Sequence, residues 1–370
     1  MKPLWHPLSA ILLSDPPTFA PPFLLRRLLA RGGSAELIYA GDRMWPAVRH
    51  GEKIRAQPLD KDVAPLPGEV VLACPLGIPD LLRVRDVEGD RVRLAGDADP
   101  AGPIEVSRDD VIARAGLPRR RVGAIRRTAA RVLLDLREAW RGRTDAADPA
   151  DTVRLKYDEQ APFYAGHQGS MVEESLLDEL RRRVPAGGKI LVAGSGTGRE
   201  CVDFAEAGWY VSGVDFAPAM VDVARGEAER RGLDIRFHLA DLRQHREPPG
   251  SLQAVVFTYD VYSFLSRSPD RIALLREMAG WLDAKGVIFL SARRAGGLYH
   301  RGILWVQFAA SLARGGATWG HSHTRWVGPD GALRRSFVQV FPERRVRREI
   351  DAAGLAMLAW PPGHAILERR

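Results

Sequence analysis

Ile190-Leu-Val-Ala-Gly-Ser-Gly-Thr-Gly-Arg-Glu200 is an apolar run that breaks into three alternate glycines and opens into helix-compatible sequence. A strand, turn and helix in that order point backbone N–H groups and the positive helix end at whatever occupies the turn. With no Cβ at Gly194, Gly196 and Gly198, the chain can approach that ligand closely. Seventeen residues beyond Gly198, a second apolar run over 209–214 ends on Asp215. Its carboxylate suits two adjacent hydroxyl donors such as those of a ribose. A third run, 235–239, ends on Ala240-Asp241-Leu242.

Together these residues resemble the S-adenosylmethionine (SAM) site of the class I methyltransferases. The resemblance implies that Gly194, Ser195, Gly196, Thr197 and Gly198 form the cofactor turn and that Asp215 holds the ribose. Asp215-Phe-Ala-Pro-Ala-Met220 is similar to the family's Asp-x-Ser-x-x-Met pattern, with Ala217 in the serine place. By that likeness Met220 packs on the adenine with Phe216 nearby, and Asp241, between Ala240 and Leu242, meets the adenine amino group. A dinucleotide site also uses a glycine turn and an acidic second strand end, but its third glycine falls later than Gly198. Lys156-Tyr-Asp-Glu-Gln-Ala-Pro-Phe-Tyr164 resembles the family's Tyr-Asp-x-x-Ala lead-in helix, in which Tyr157 helps cover the cofactor.

Around this centre the chain alternates strand 189–194, helix, strand 209–214, helix 217–231, strand 234–239, strand 253–259, helix 269–283 and strand 286–292. That order predicts a doubly wound α/β sheet. A strand pair around Gly328-Pro-Asp-Gly331, a short helix from Glu343 and a hairpin around Pro361-Pro-Gly363 match the family's antiparallel finish. A Rossmann-like domain with a seven-stranded sheet is therefore expected over 153–370.

Composition excludes disorder, since 45% of the 370 residues are hydrophobic and 27% charged. Cys74 and Cys201 are far apart in apolar surroundings, which leaves neither a disulfide framework nor a zinc spacing and fits a reducing compartment. No run approaches membrane-span length and no convincing cleavage pattern follows the first residues, so a cytoplasmic location is expected. Residues 119–143 carry nine arginines against Asp135 and Glu138, a surplus of seven in a chain of net charge +8. Apolar residues from Val122 to Trp140 recur there at helical steps. This amphipathic helix either docks its apolar stripe with solvated arginines or holds a membrane surface or nucleic acid. It is followed by a polar joint, so 118–152 reads as a linker.

Residues 23–117, after an N-terminal extension over 1–22, show short apolar segments between Gly, Pro and Asp, the pattern of a compact β domain. Leu28-Leu-Ala-Arg-Gly-Gly-Ser34, Ala40-Gly-Asp-Arg-Met-Trp-Pro46, Leu66-Pro-Gly-Glu-Val-Val71, Leu82-Arg-Val84 and Leu94-Ala-Gly-Asp97 resemble, in order, the motifs of the signal-peptidase and LexA-type self-cleavage fold. Arg43 stands at the family's nucleophilic serine and Leu82 at its base, so the resemblance implies a peptidase-like domain without peptidase activity. Peptide binding along a strand edge and plain structural support remain as its two roles.

Thr258-Tyr-Asp-Val-Tyr-Ser-Phe264 lies where the methyltransferase family's substrate meets the methyl group. Asp260 there either orients or deprotonates an acceptor, or caps the next helix; Tyr259 lines SAM and Tyr262 the acceptor. Neither an Asn/Asp-Pro-Pro-Tyr nor a Pro-Cys motif occurs, which argues against methylation of adenine amines or cytosine C5. The insertion over 295–325 adds Tyr299, His300, Trp305, His321 and His323, with Trp326 next, as acceptor contacts or packing; either histidine can serve as a base, and no metal is expected. The expectation is a SAM-dependent methyltransferase acting on O or N of a small molecule or peptide. The alternatives are a SAM- or peptide-binding regulator without transfer, and a nucleic-acid modifier using the basic segment, although nucleic acid is not the expected partner.

Overall fold

The computed structural model describes residues 9–14, 17–19, 29, 34–41, 44, 48, 52–59, 63–74, 80–96, 103–117, 132, 133, 136, 139, 140, 148–165, 174–295, 298–313, 319–328, 332–360 and 363–370. Contacts divide the chain into two units, one of 1–141 with 325–335, the other of 142–324 with 336–370.

In the N-terminal unit, strands β1 (Ser9–Ser14), β2 (Pro17–Phe19), β3 (Ala35–Gly41), β4 (Lys53–Pro58), β5 (Val70–Ala73), β6 (Asp80–Glu88), β7 (Arg91–Ala95), β8 (Ile104–Ser107) and β9 (Val111–Ala115) form one sheet in the order β2-β1-β3-β4-β9-β5-β6-β7-β8. Neighbours are antiparallel throughout. The stretch set apart by sequence as an extension thus supplies two strands, because β1 pairs with β3 from Ser9 opposite Gly41 to Leu13 opposite Leu37. Strand β5 is buried on both faces: Val70 and Leu72 enter one apolar cluster, Val71 and Ala73 another. Such two-sided burial explains why β5 reads as a continuous apolar run rather than an alternation.

The second unit holds strands β10 (Lys189–Ala193), β11 (Tyr210–Asp215), β12 (Arg236–Leu239), β13 (Leu252–Phe257), β14 (Leu282–Leu290), β17 (Leu355–Ala359) and β18 (Ala365–Arg369), ordered β12-β11-β10-β13-β14-β18-β17. The first five are parallel, and β18 runs antiparallel to both of its neighbours, β14 and β17. Strands β15 (His321–Val327) and β16 (Leu333–Gln339) form a separate pair. Helices are α1 (Pro149–Ala165), α2 (Glu174–Arg183), α3 (Arg199–Glu206), α4 (Pro218–Arg231), α5 (Ser268–Trp281), α6 (Leu298–Ala313) and α7 (Glu343–Ala352). Apolar clusters cover both sheet faces, one with α5 and α7 and the other with α2, α3 and α4. This is a Rossmann-like doubly wound fold, and β10 and β13 flank the point where strand order reverses, so the crevice beyond their carboxyl ends is the place for a ligand.

Candidate functional site

Three strand ends build the site. After β10 the chain turns through Gly194, Ser195, Gly196, Thr197 and Gly198 into α3. Gly198 has φ 78°, and a Cβ there would stand 2.8 Å from Phe237 and 3.0 Å from Ala224, so this glycine is required by packing. Gly196, at φ 52°, is different: a Cβ would meet nothing within 4 Å, so the bare backbone faces an open cradle. The carboxylate of Asp215, at the end of β11, ties the turn to the next helix. One oxygen accepts Gly196 N–H at 2.8 Å and the other accepts Ala217 N–H at 2.9 Å. Each carboxylate oxygen keeps a further lone pair for a hydroxyl. Burial pushes the Asp215 carboxyl above its usual range, against the opposing pull of the Ala217, Gly196 and Phe216 N–H groups.

Helix α4 follows, and Ala217 cannot cap it with its side chain. Asp158 of α1 does so from a distance, accepting Ala219 N–H at 3.1 Å. This role was not legible locally, because donor and acceptor are 61 residues apart. Tyr157, Tyr164 and Phe216 pack around Ala161, Ala217 and Met220, so α1 lies along the adenine side implied by the resemblance. At the end of β12, Asp241 accepts Arg243 N at 2.8 Å and Arg243 Nε at 3.0 Å through Oδ1. Burial works against the Asp241 charge, yet the Arg243 bonds outweigh it and hold the carboxyl below its usual range. Arg243 thus already engages the carboxylate that the resemblance assigns to an adenine amino group. Leu242 is buried and Ala240 partly so.

Beyond β13 the backbone turns left-handed at two non-glycine residues, Tyr259 at φ 43° and Asp260 at φ 62°. Such conformations are retained where the surroundings over-determine them, as at ligand sites. Asp260 caps no helix with its side chain. Its Oδ1 accepts Ser291 Oγ–H at 3.1 Å, and Oδ2 accepts Arg293 Nε–H at 3.2 Å. Tyr259 is joined to Glu200, and burial followed by the Glu200 charge raises its hydroxyl far above the ordinary tyrosine range.

Several expected acceptor contacts lie elsewhere. Tyr262 is 0% exposed and donates to Glu349 Oε2 at 2.7 Å, because a single tight turn over Val261–Phe264 points it into the core. Trp326 is likewise buried. Trp305 is 59% exposed, with its ring edge-on to Phe308 at 5.8 Å and to Trp319 at 6.4 Å. Tyr299 and His300 fall in α6, but their side chains lie outside the described residues. Thr324 of β15 reaches Lys156 Nζ at 3.2 Å and Ser336 Oγ at 2.9 Å. Strand alternation then turns His321 and His323 to the opposite face of β15. His321 lines a cavity of about 640 Å³ with Arg243, Ser268, Asp270 and Arg345, apart from the Asp260–Arg293 pair. Burial, with help from the Arg345 and Arg271 cations, holds its imidazole at a pKa of about 4.

Residues 190–286 match the family model described as a methyltransferase domain. The chain is 27% identical over 150 residues to a ubiquinone biosynthesis O-methyltransferase from Xanthomonas axonopodis pv. citri, covering 40% of this chain and 60% of that protein. It is 29% identical over 128 residues to a glycine/sarcosine N-methyltransferase from Halorhodospira halochloris, covering 34% of this chain and 47% of the relative. Among solved structures, the CcbJ methyltransferase from Streptomyces caelestis superposes with a TM-score of 0.46 at 14% identity, over 58% of this chain and 98% of that one. The chain thus spans about 60% of the length of the first of these relatives. Its C-terminal half carries a class I methyltransferase domain, and the cofactor of that domain is S-adenosylmethionine. The open cradle at Gly196 and the paired acceptor oxygens of Asp215 fit that cofactor.

Proposed function

We propose that this protein transfers a methyl group from S-adenosylmethionine to oxygen or nitrogen of a small-molecule or peptide acceptor. When bound, the cofactor supplies a methyl group already activated on a sulfonium, so the protein's work is binding, alignment and exclusion of water. The Gly194–Gly198 turn presents backbone N–H groups, Asp215 accepts from the ribose, Met220 and Phe216 pack at the adenine, and Asp241 accepts from its amino group. Tyr157 and the α1 helix cover the crevice. Asp260, held by Ser291 and Arg293, fixes the guanidinium of Arg293 at the acceptor side. The observation that carries the reading is the Asp215 carboxylate, which joins the glycine turn to the start of α4 at the strand end.

The N-terminal sheet is read as a peptidase-like domain without peptidase activity, serving peptide binding or structural support. In support, Leu82 is fully buried among Val71, Ala73 and Val84, where no proton acceptor could work in water; Arg43 lies outside the described residues. A cytoplasmic setting is proposed with it, and no helix among the described residues is long and apolar enough to cross a membrane. The relatives include both an O- and an N-methyltransferase, so either acceptor atom is retained.

Calorimetry of SAM binding tests the reading. Asp215→Ala removes charge-assisted hydrogen bonds worth about 2 kcal/mol and should weaken binding by tens of fold. Unchanged affinity would remove Asp215 from the site.

A further inference from the structure

Helix α1 carries two polar side chains that packing alone does not explain. Lys156 is 0% exposed and Gln160 is 1% exposed. Spaced by four residues, they share one face of the helix. Among the described residues, the ammonium of Lys156 has one hydrogen-bond partner, Thr324 Oγ1 at 3.2 Å, and no carboxylate within ion-pair distance. Both amide atoms of Gln160 are buried without a partner. A buried amine with one neutral partner, beside an unsatisfied amide, is costly unless a polar ligand meets both.

The Arg293 cation acts on the Lys156 amine and is bonded to Asp260 of the Tyr259–Asp260 turn, which puts this face beside the acceptor side of the crevice. Tyr157, next to Lys156, packs edge-on to Phe264 at 5.7 Å, just beyond the Tyr259–Asp260 turn. The charged group acting on the amine is Arg293, itself paired with Asp260 at the strand ends; the centre of the Tyr157 ring, from its own helix, lies 5.1 Å from Nζ, and the β15–β16 pair contributes the hydroxyl of Thr324, bonded in turn to that of Ser336. Burial, and secondarily the Arg293 cation, holds the Lys156 amine at a pKa of about 7. The chain has lysine only at positions 2, 53, 61, 156, 189 and 285, and arginine for every other basic residue. Arginine at position 156 could not release its proton; lysine can.

We propose that Lys156 Nζ takes the proton from the acceptor during methyl transfer, while Gln160 hydrogen-bonds the acceptor alongside. This rests on the methyltransferase reading and adds the acceptor class, a hydroxyl or amine that must lose a proton and that presents a second polar group to an amide. Lys156 enters the step as a free amine. The acceptor's lone pair forms the bond to the methyl carbon, the carbon–sulfur pair stays with sulfur, and the acceptor's proton passes to Nζ. The resulting ammonium returns its proton to solvent, with Thr324 and Ser336 as its hydroxyl neighbours.

A titration of the full chain labelled with ¹³C-lysine tests the placement without needing the acceptor. The Lys156 Cε signal is assigned by its absence in Lys156→Arg and followed from about pH 5 to pH 10, with S-adenosylmethionine or S-adenosylhomocysteine bound. Exposed Lys189 and Lys285 serve as internal controls. If Nζ lies beside the reacting atoms, the sulfonium charge should lower the Lys156 midpoint by about one unit relative to the neutral thioether, and leave the controls unmoved. A purely structural amine would titrate alike in both complexes. Equal midpoints, with calorimetry showing that both compounds bind, overturn the proposal. If calorimetry shows that neither binds, the methyltransferase reading itself falls and takes the inference with it.

Discussion

At the residue scale, carboxyl groups of one chain take opposite tasks because their surroundings differ. Asp215 is pushed up by burial, whereas Glu349, also buried, is held low because Arg271, Ser268 and Tyr262 donate to it. His321 gives a pH test. Its folded pKa of about 4 lies below the ordinary value of 6.5, so the unfolded chain binds the extra proton between those values. Stability should therefore fall as pH drops from 6.5 toward 4, with His321 contributing on the order of 1–2 kcal/mol after allowance for its partial exposure. Urea unfolding at several pH values should show a shallower acid slope for His321→Asn. An identical slope would mean that the imidazole is not held neutral by its site.

At the element scale, the glycine turn separates packing from binding. Gly198→Ala forces a methyl group onto Phe237 and Ala224 at a left-handed φ, and should destabilise the fold by about 2–4 kcal/mol in denaturant titrations. Gly196→Ala meets open space, so only about 1 kcal/mol of backbone strain is expected. Its methyl group projects into the cradle, and SAM affinity should suffer more than stability; the reverse ranking in calorimetry and unfolding would displace the cofactor from this turn. The pairing of α5 with α7 depends on another contact. Arg271, fully buried, donates to Glu349 through Nε at 2.8 Å and Nη2 at 2.6 Å. Glu349→Ala would leave that guanidinium buried without its carboxylate and should cost about 3–5 kcal/mol, measurable as a lower urea midpoint.

At the scale of the whole molecule, two units with separate sheets and separate apolar clusters are expected to respond differently to cofactor. A ligand stabilises the unit that binds it, by about 2.7 kcal/mol at a hundredfold excess over Kd. Calorimetric scans with SAM should raise the transition of the C-terminal unit and leave the other in place. A shift of both together would mean that the units unfold as one. Peptide-bond cleavage by the purified protein, abolished by a substitution in the N-terminal sheet, would overturn the reading of that sheet as catalytically inert.

The sequence by itself determined the alternation of strands and helices over 189–292, the glycine turn, the acidic strand ends and the antiparallel finish. Each is written in local signals: apolar runs, residues tolerant of positive φ, and carboxylates that end a strand. Tertiary structure decided which way side chains face and what they meet. Tyr262 looked like an acceptor contact and is core, bonded to Glu349, because whether an aromatic in a turn points inward depends on the elements packed above it. Residues 9–14 and 17–19 read as an extension and are strands, because a strand at a sheet margin is defined by its partner, β3 for β1 and β1 for β2. Asp158 and Lys156 lay inside a motif quoted for its tyrosine. Their roles come from Ala219 and Thr324, 61 and 168 residues away, and such separations leave no periodic or local trace in a single chain.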